Sequence, residues 1–221
     1  MTDLARPAAV VFDMDGLLLD SERLAQAAFR EACTELGVTV DDAVYARCIG
    51  STPAGTEQIL REAIGADLDY PSLDRIWSDR YAARLDAGPV DLKPGALDLL
   101  DALAAHGIPR GLATSTGRDL ATRKLTGAGV ISYFACLICG GETARGKPHP
   151  DPYLAAVACL GVPAGAAWAL EDSENGVRAA HAAGLRVIQV PDLVAPSAAL
   201  RSLGHDVLPS LRHVLAALLP G

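Results

Sequence analysis

Five short apolar runs, each closing on polar residues, recur along the chain: AAVVFDMD (8–15), PRGLATS (109–115), YFACLICG (133–140), AAWALED (166–172) and LRVIQVP (185–191). Runs this short and this continuously apolar suit strands buried on both faces, the condition of a parallel sheet. Helical patterns lie between them. In GALDLLDALAAHG (95–107) Leu97, Leu100, Leu103 and Ala104 recur at helical spacing and Gly107 supplies the stop. Another pattern begins at Asp151-Pro152, read as an N-cap followed by proline in the first turn, and ends near Gly161. A third follows Asp172 and closes at Gly184. Strand and helix alternating in this way predict a doubly wound α/β fold with a parallel sheet, whose ligands sit outside the carboxyl ends of the strands.

The first strand does not lead promptly to the second, because residues 17–89 intervene with helical periodicity and no convincing strand. The expected organisation is an α/β core from residues 1–16 and 90–221 with an inserted α-helical cap domain over 17–89. Within the insertion Ser21 is read as the N-cap of a helix running to Leu36 with Gly37 as its stop, and 54–64 and 73–85 form further amphipathic pieces. The linkers at 16–20 and 87–95 should lie side by side above the end of the first strand, so the insertion is expected to act as a lid. An apolar helix in HVLAALL near the C-terminus should pack on the core.

Charge narrows the possible partners. With 27 acidic and 19 basic residues the formal net charge is −8, which disfavours nucleic acid, and a small anionic ligand would need a local cationic site. No apolar stretch reaches membrane-spanning length, so no membrane association is expected, and the acid at Asp3 stands where a signal peptide wants a basic lead. A cytoplasmic monomer is expected. Five scattered cysteines read as free thiols, and a strand would point Cys136 and Cys139 to opposite faces, against a metal or redox pair.

Asp13 and Asp15 flank one residue at the end of the first run, and a period of two sends both carboxylates the same way. A divalent cation or a shared proton would relieve their repulsion; an Asx turn in which both cap loop amides accounts for the pair equally well. Three other strand ends tip the balance. Thr114-Ser115-Thr116 before Gly117 offers hydroxyls and a helix N-terminus to an anion. Glu171-Asp172 adds oxygen ligands suited to magnesium, and Lys147 in Gly-Lys-Pro can hold a phosphate or neutralise clustered carboxylates.

Taken in order, FDMDGLLLDSE, LATST, GKPHPDPY and LEDSENG resemble the four motifs of the haloacid dehalogenase superfamily, in the branch with a helical cap after the first motif. The resemblance spans essentially the whole chain. It implies a Mg²⁺-dependent phosphatase acting on a small phosphorylated metabolite through an aspartyl phosphate. It also implies roles: Asp13 as nucleophile, Asp15 as general acid and base, Thr114, Ser115 and Lys147 as holders of phosphate and nucleophile. Asp13, the Asp15 carbonyl and Asp172 would bind the metal, with Glu171 in or beside that set. Asp15 favours phosphoryl chemistry over carbon–halogen cleavage, which has no leaving alkoxide to protonate.

Two other readings stand beside this one, a β-phosphoglucomutase-like sugar phosphomutase and a non-catalytic phosphosugar-binding or regulatory protein. The mutase pattern wants a histidine, an arginine and a lysine in the cap, and comparison puts Ala25, Pro53 and Trp77 at those places. Phosphonate hydrolysis would want a Schiff-base lysine, and residues 17–89 contain no lysine. Glu22, Arg23 and Arg47 are expected on a solvated helix face, Trp77 and Tyr81 in the core of the cap, and His149 in a surface loop.

Overall fold

The computed structural model describes residues 6–49, 51 and 53–218. Its sheet has six strands, β1 Ala9–Phe12, β2 Arg110–Gly117, β3 Cys136–Gly140, β4 Ala167–Glu171, β5 Arg186–Gln189 and β6 Asp206–Val207, in the order β3-β2-β1-β4-β5-β6. Every adjacent pair is parallel. Four of the first five strands fall within the predicted runs, and β2 overruns its run by two residues, to Gly117. β6 was not foreseen, because two partly exposed residues make no apolar run.

Among the described residues the α-helices are, in chain order, α1 Ser21–Glu35, α2 Asp42–Cys48, α3 Pro53–Ile64, α4 Tyr70–Ala87, α5 Ala96–Ala105, α6 Arg118–Gly127, α7 Asp151–Leu160, α8 Glu174–Ala182, α9 Ala198–Arg201 and α10 Leu211–Leu218. The sheet is covered on both faces, as continuously apolar strands require. Val10, Phe12, Trp168, Leu170 and Ile188 join one cluster with α5 and α10; Val11, Ala169 and Val187 join another with α7 and α8. The predicted C-terminal helix packs through Val214 and Leu218, while Leu219 lies outside the described residues.

Helices α1–α4 all fall between β1 and α5 and carry a cluster of their own, centred on Phe29, Tyr45, Leu60, Leu73 and Ile76. The two connecting segments pair with each other: Asp20 N donates to Asp91 O at 2.8 Å and Lys93 N to Leu18 O at 2.8 Å. Among the described residues no helix is long and apolar enough to cross a membrane.

Local details differ from expectation. Asp20, not Ser21, precedes the first turn of α1, because the Ser21 hydroxyl is drawn to Asp15 Oδ1 at 2.6 Å. Asp151 is the first residue of α7 rather than its cap and pairs with Arg145 at 2.8 Å. On α5 the buried stripe is Ala96, Leu99, Leu100 and Leu103, whereas Leu97 and Ala104 are exposed, so the apolar face is rotated from the predicted one. All five cysteines are free.

Candidate active site

Strand order reverses between β1 and β4, the place where a doubly wound sheet leaves a crevice at its carboxyl edge. Asp13 N donates to Leu170 O at 3.0 Å, which prolongs the β1–β4 ladder and sets Asp13 beside the end of β4. Thr114 to Thr116 arrive from the end of β2, and Lys147 from the loop before α7. Asp13, Asp15, Thr114, Ser115, Lys147 and Asp172 all line one cavity of about 380 Å³. Glu171 sits directly beneath it, fully buried.

Lys147 is the hub of the floor. Its Nζ lies 2.5 Å from both Asp13 Oδ1 and Glu171 Oε1, with only 4% of its side chain exposed. Both oxygens of Glu171 are already engaged. Oε1 also accepts from the Tyr153 hydroxyl at 2.6 Å, and Oε2 accepts from Asp172 N, Ser173 N and Ser173 Oγ at 3.1 to 3.2 Å. Such a saturated acid orients its neighbours. Glycine makes the approach possible: a Cβ on Gly176 would sit 1.8 Å from Glu171 Oε1, and one on Gly16, at φ +80°, would lie 2.3 Å from Asp172 Oδ2.

Electrostatics separate the carboxylates. Burial raises Asp13 to about 8, with Lys147 opposing the rise and Glu171 and Asp15 adding to it. Burial likewise drives Asp172 well above the ordinary carboxylate range, reinforced by Asp13 and Glu171. Ligand oxygens of Asp13, Glu171 and Asp172 lie within 4.8 Å of one another, so this buried group can hold a metal ion, and an all-oxygen set suits a hard cation.

Asp15 is placed differently. It accepts from Ser21 Oγ at 2.6 Å, Thr116 Oγ1 at 2.6 Å and Lys124 Nζ at 2.7 Å. Burial pushes its pKa up, but Lys124 and these hydrogen bonds outweigh burial and hold it below the usual value. Lys124 is itself buried, and its Nζ lies 5.1 Å from the ring centroid of Tyr81 on α4. Thr114 is buried and its Oγ1 accepts from Thr116 N at 3.1 Å, while Ser115 is exposed to the cavity.

Several lining residues escaped sequence reasoning. Lys124 follows Ala121 and precedes Leu125 on the buried face of α6, so a lysine at an apolar position of the helical pattern was the available signal. Glu22 was expected on a solvated face; it lines the cavity, and burial, with Asp15 adding, raises it to about 7. Trp77 and Tyr81 were expected in the helical core. Both line the cavity, although Trp77 also stacks on Phe29 at 4.9 Å. Arg23 pairs with Asp192 at 2.9 Å and Arg47 with Glu62 at 3.2 Å, both exposed as expected.

Known proteins bear on this arrangement. The family model described as haloacid dehalogenase-like hydrolase matches residues 10–190. Protein CbbY of Cupriavidus necator is 32% identical over 95% of this chain and 91% of its own length. The phosphorylated carbohydrates phosphatase of Thermotoga maritima is 29% identical over 95% of this chain and 97% of its own. Among solved structures, a CbbY mutant from Rhodobacter sphaeroides in complex with xylulose-(1,5)bisphosphate superposes with a TM-score of 0.74 and 31% identity, covering 96% of this chain and 99% of that one.

Proposed function

The chain belongs to the haloacid dehalogenase-like hydrolase family and is a phosphatase, and from that premise we propose that it hydrolyses small phosphomonoester metabolites, with Mg²⁺, through a phosphoryl group carried on Asp13. The observation that carries this reading is the bridge from Lys147 to Asp13 and Glu171 in a cavity that also presents a second, separately held carboxylate, Asp15. Relatives named for phosphorylated carbohydrates and for a xylulose bisphosphate complex support a small phosphorylated metabolite as substrate.

A phosphate monoester repels an anionic nucleophile, so Asp13 attacks only where charge on the phosphoryl oxygens is cancelled. Lys147 orients Asp13 and offers positive charge, and the Thr114 and Ser115 hydroxyls donate to the phosphoryl oxygens. The Asp13 and Asp172 carboxylates and the Asp15 carbonyl would hold magnesium, which supplies further charge neutralisation when bound. Glu171, with both oxygens engaged by protein donors, keeps Lys147 and the loop after β4 in place beside that metal site. Attack by Asp13 Oδ forms an acyl phosphate and releases the alkoxide, to which Asp15 gives a proton; Asp15 then takes a proton from the water that frees Asp13. Held by Lys124, Asp15 is the carboxylate needed for the second step, and it must gain a proton before the first.

Helices α1–α4, residues 17–89, serve as the cap on the core formed by residues 1–16 and 90–221. Ala25 and Trp77, at two of the positions where a mutase needs polar groups, line the cavity, and the Trp77 indole is already committed to Ala25 O at 2.9 Å. The side chain at the third, Pro53, lies outside the described residues. Nothing at Ala25 or Trp77 activates a sugar hydroxyl, so water takes the phosphoryl group. The test is phosphate release from a panel of sugar and polyol phosphates, silenced by EDTA and restored by magnesium. With β-glucose 1-phosphate, faster production of glucose 6-phosphate than of inorganic phosphate would replace this reading with the mutase.

A further inference from the structure

A second cavity, of about 290 Å³, opens inside the cap, and it shares Glu22, Ala25, Ile49, Asp74 and Trp77 with the wall of the catalytic one. Its other side is formed by Tyr45, Tyr70 and Thr56, which are 3%, 8% and 7% exposed. Tyr45, Phe29 and Trp77 form an aromatic triad, with the Tyr45 ring centroid 5.0 Å from that of Phe29 and 6.1 Å from that of Trp77. Among the described residues the Tyr45 hydroxyl makes no hydrogen bond, and it is not one of the buried polar side-chain atoms left unpaired, which are Asp192 Oδ2 and His205 Nδ1, so it opens onto the cavity. A ligand hydroxyl entering there can meet it.

The charges on these walls are one-sided. Among the described residues lining the two cavities the only cations are Lys124 and Lys147, and each is committed to core acids. On the cap side stand Glu22 and Asp74, neither in an ion pair with a described residue. Carboxylates accept hydrogen bonds from hydroxyl or ammonium donors and repel phosphate and carboxylate. Trp77, which lines both cavities, offers aromatic surface to the C–H face of a ring.

We propose that the cap cavity seats the leaving group and that its walls select an uncharged polyhydroxy or amino-bearing ring over an alcohol that carries a second phosphate or a carboxylate. The proposal rests on the phosphatase reading above and adds to it the charge class of the leaving group. Asp74 sets the sign of the field, Tyr45 supplies a hydroxyl contact, and Trp77 supplies the surface.

A matched series tests it: glucose 6-phosphate, glucosamine 6-phosphate, 6-phosphogluconate and glucose 1,6-bisphosphate, with p-nitrophenyl phosphate as the common reference. The expected kcat/KM for the compounds whose leaving group is neutral or amino-bearing exceeds that for the two that carry a second anionic group by about tenfold or more, the size of one close charge interaction in a partly wet site. Asp74→Lys should narrow or invert that ratio, and Tyr45→Phe should lower kcat/KM for glucose 6-phosphate relative to p-nitrophenyl phosphate. Ratios measured within one preparation do not depend on the fraction folded. Equal or better turnover of the bisphosphate by the unaltered protein, or an Asp74→Lys protein with an unchanged ratio, overturns the charge selection while the phosphatase reading stands. No phosphate release from any of the five compounds removes both.

Discussion

Floor and roof of the catalytic cavity follow opposite plans. On the floor, each buried cation has its acids: Lys147 bridges Asp13 and Glu171, and Lys124 holds Asp15. On the roof, Glu22 and Asp74 stand among Trp77 and Tyr81 with no cation paired to them among the described residues. The floor rests on β1 and β4, whose residues are at most 3% exposed, so its side chains are held by a rigid sheet. The roof is assembled from separate helices that pack mainly on one another. On the proposed reading, paired charge lies where bonds break and unpaired acid lies where the leaving group would sit, an arrangement that lets one scaffold keep its chemistry and change its substrate.

Removing the two buried lysines sharpens that contrast most. Lys147→Met should lower kcat about 10³-fold, the cost of losing one preorganised charge at the reacting phosphoryl group. Lys124→Met should cost less, about 10- to 100-fold, because Asp15 stays in the site but loses its anchor. It should also shift the pH profile. Lys124 now holds Asp15 below its usual pKa against burial, so without the lysine burial dominates, the pKa rises, and the acidic limb moves to higher pH. Steady-state kinetics with pH, alongside circular dichroism to verify folding, measures both. Equal losses in the two variants would erase the distinction between a charge that faces the phosphate and one that positions an acid.

A smaller effect concerns the metal. Burial raises Asp13 from the ordinary 3.8 to about 8 in the fold without metal, so between these values the native state is expected to hold a proton that the unfolded state has lost. The metal-free protein should therefore lose stability as pH rises through that window. Magnesium held through Asp13 as proposed would have to displace that proton and would bind better at the upper end, so MgCl₂ should raise Tm by a few degrees more at pH 8 than at pH 5.5. A larger rise at the lower pH would contradict the carboxylate assignment.

What could be read from the sequence divides along the same line as the molecule. Asp13 and Asp172 sit just beyond strand ends, Thr114 in the second half of β2 and Lys147 in the loop before α7, where short motifs and an alternating βα pattern fix both fold and edge, and all four reach one cavity. Ser21 and Lys124 were missed because their roles come from contacts to Asp15 across 6 and 109 residues. Glu22 looked like any acid in a polar first turn. Only the packing of α1 against the core edge makes it a wall residue, as a Cβ on Gly16, 3.3 Å from Glu22 Cγ, illustrates. Helical periodicity reports which face is apolar, not which polar side chain the neighbouring domain will cover.

The central claim is that Asp13 carries the phosphoryl group. Asp15→Asn protein should still react once with p-nitrophenyl phosphate and magnesium, since p-nitrophenolate leaves without a proton, but should release the phosphoryl group slowly for want of a base. Rapid mixing and acid quench should then show a burst of p-nitrophenolate of about one per active site. The phosphoryl group should be mapped by mass spectrometry to the peptide bearing Asp13, labile to hydroxylamine, and absent when Asp13→Asn is added. Linear release with no bound phosphoryl group, or a label on any other residue, would contradict the account.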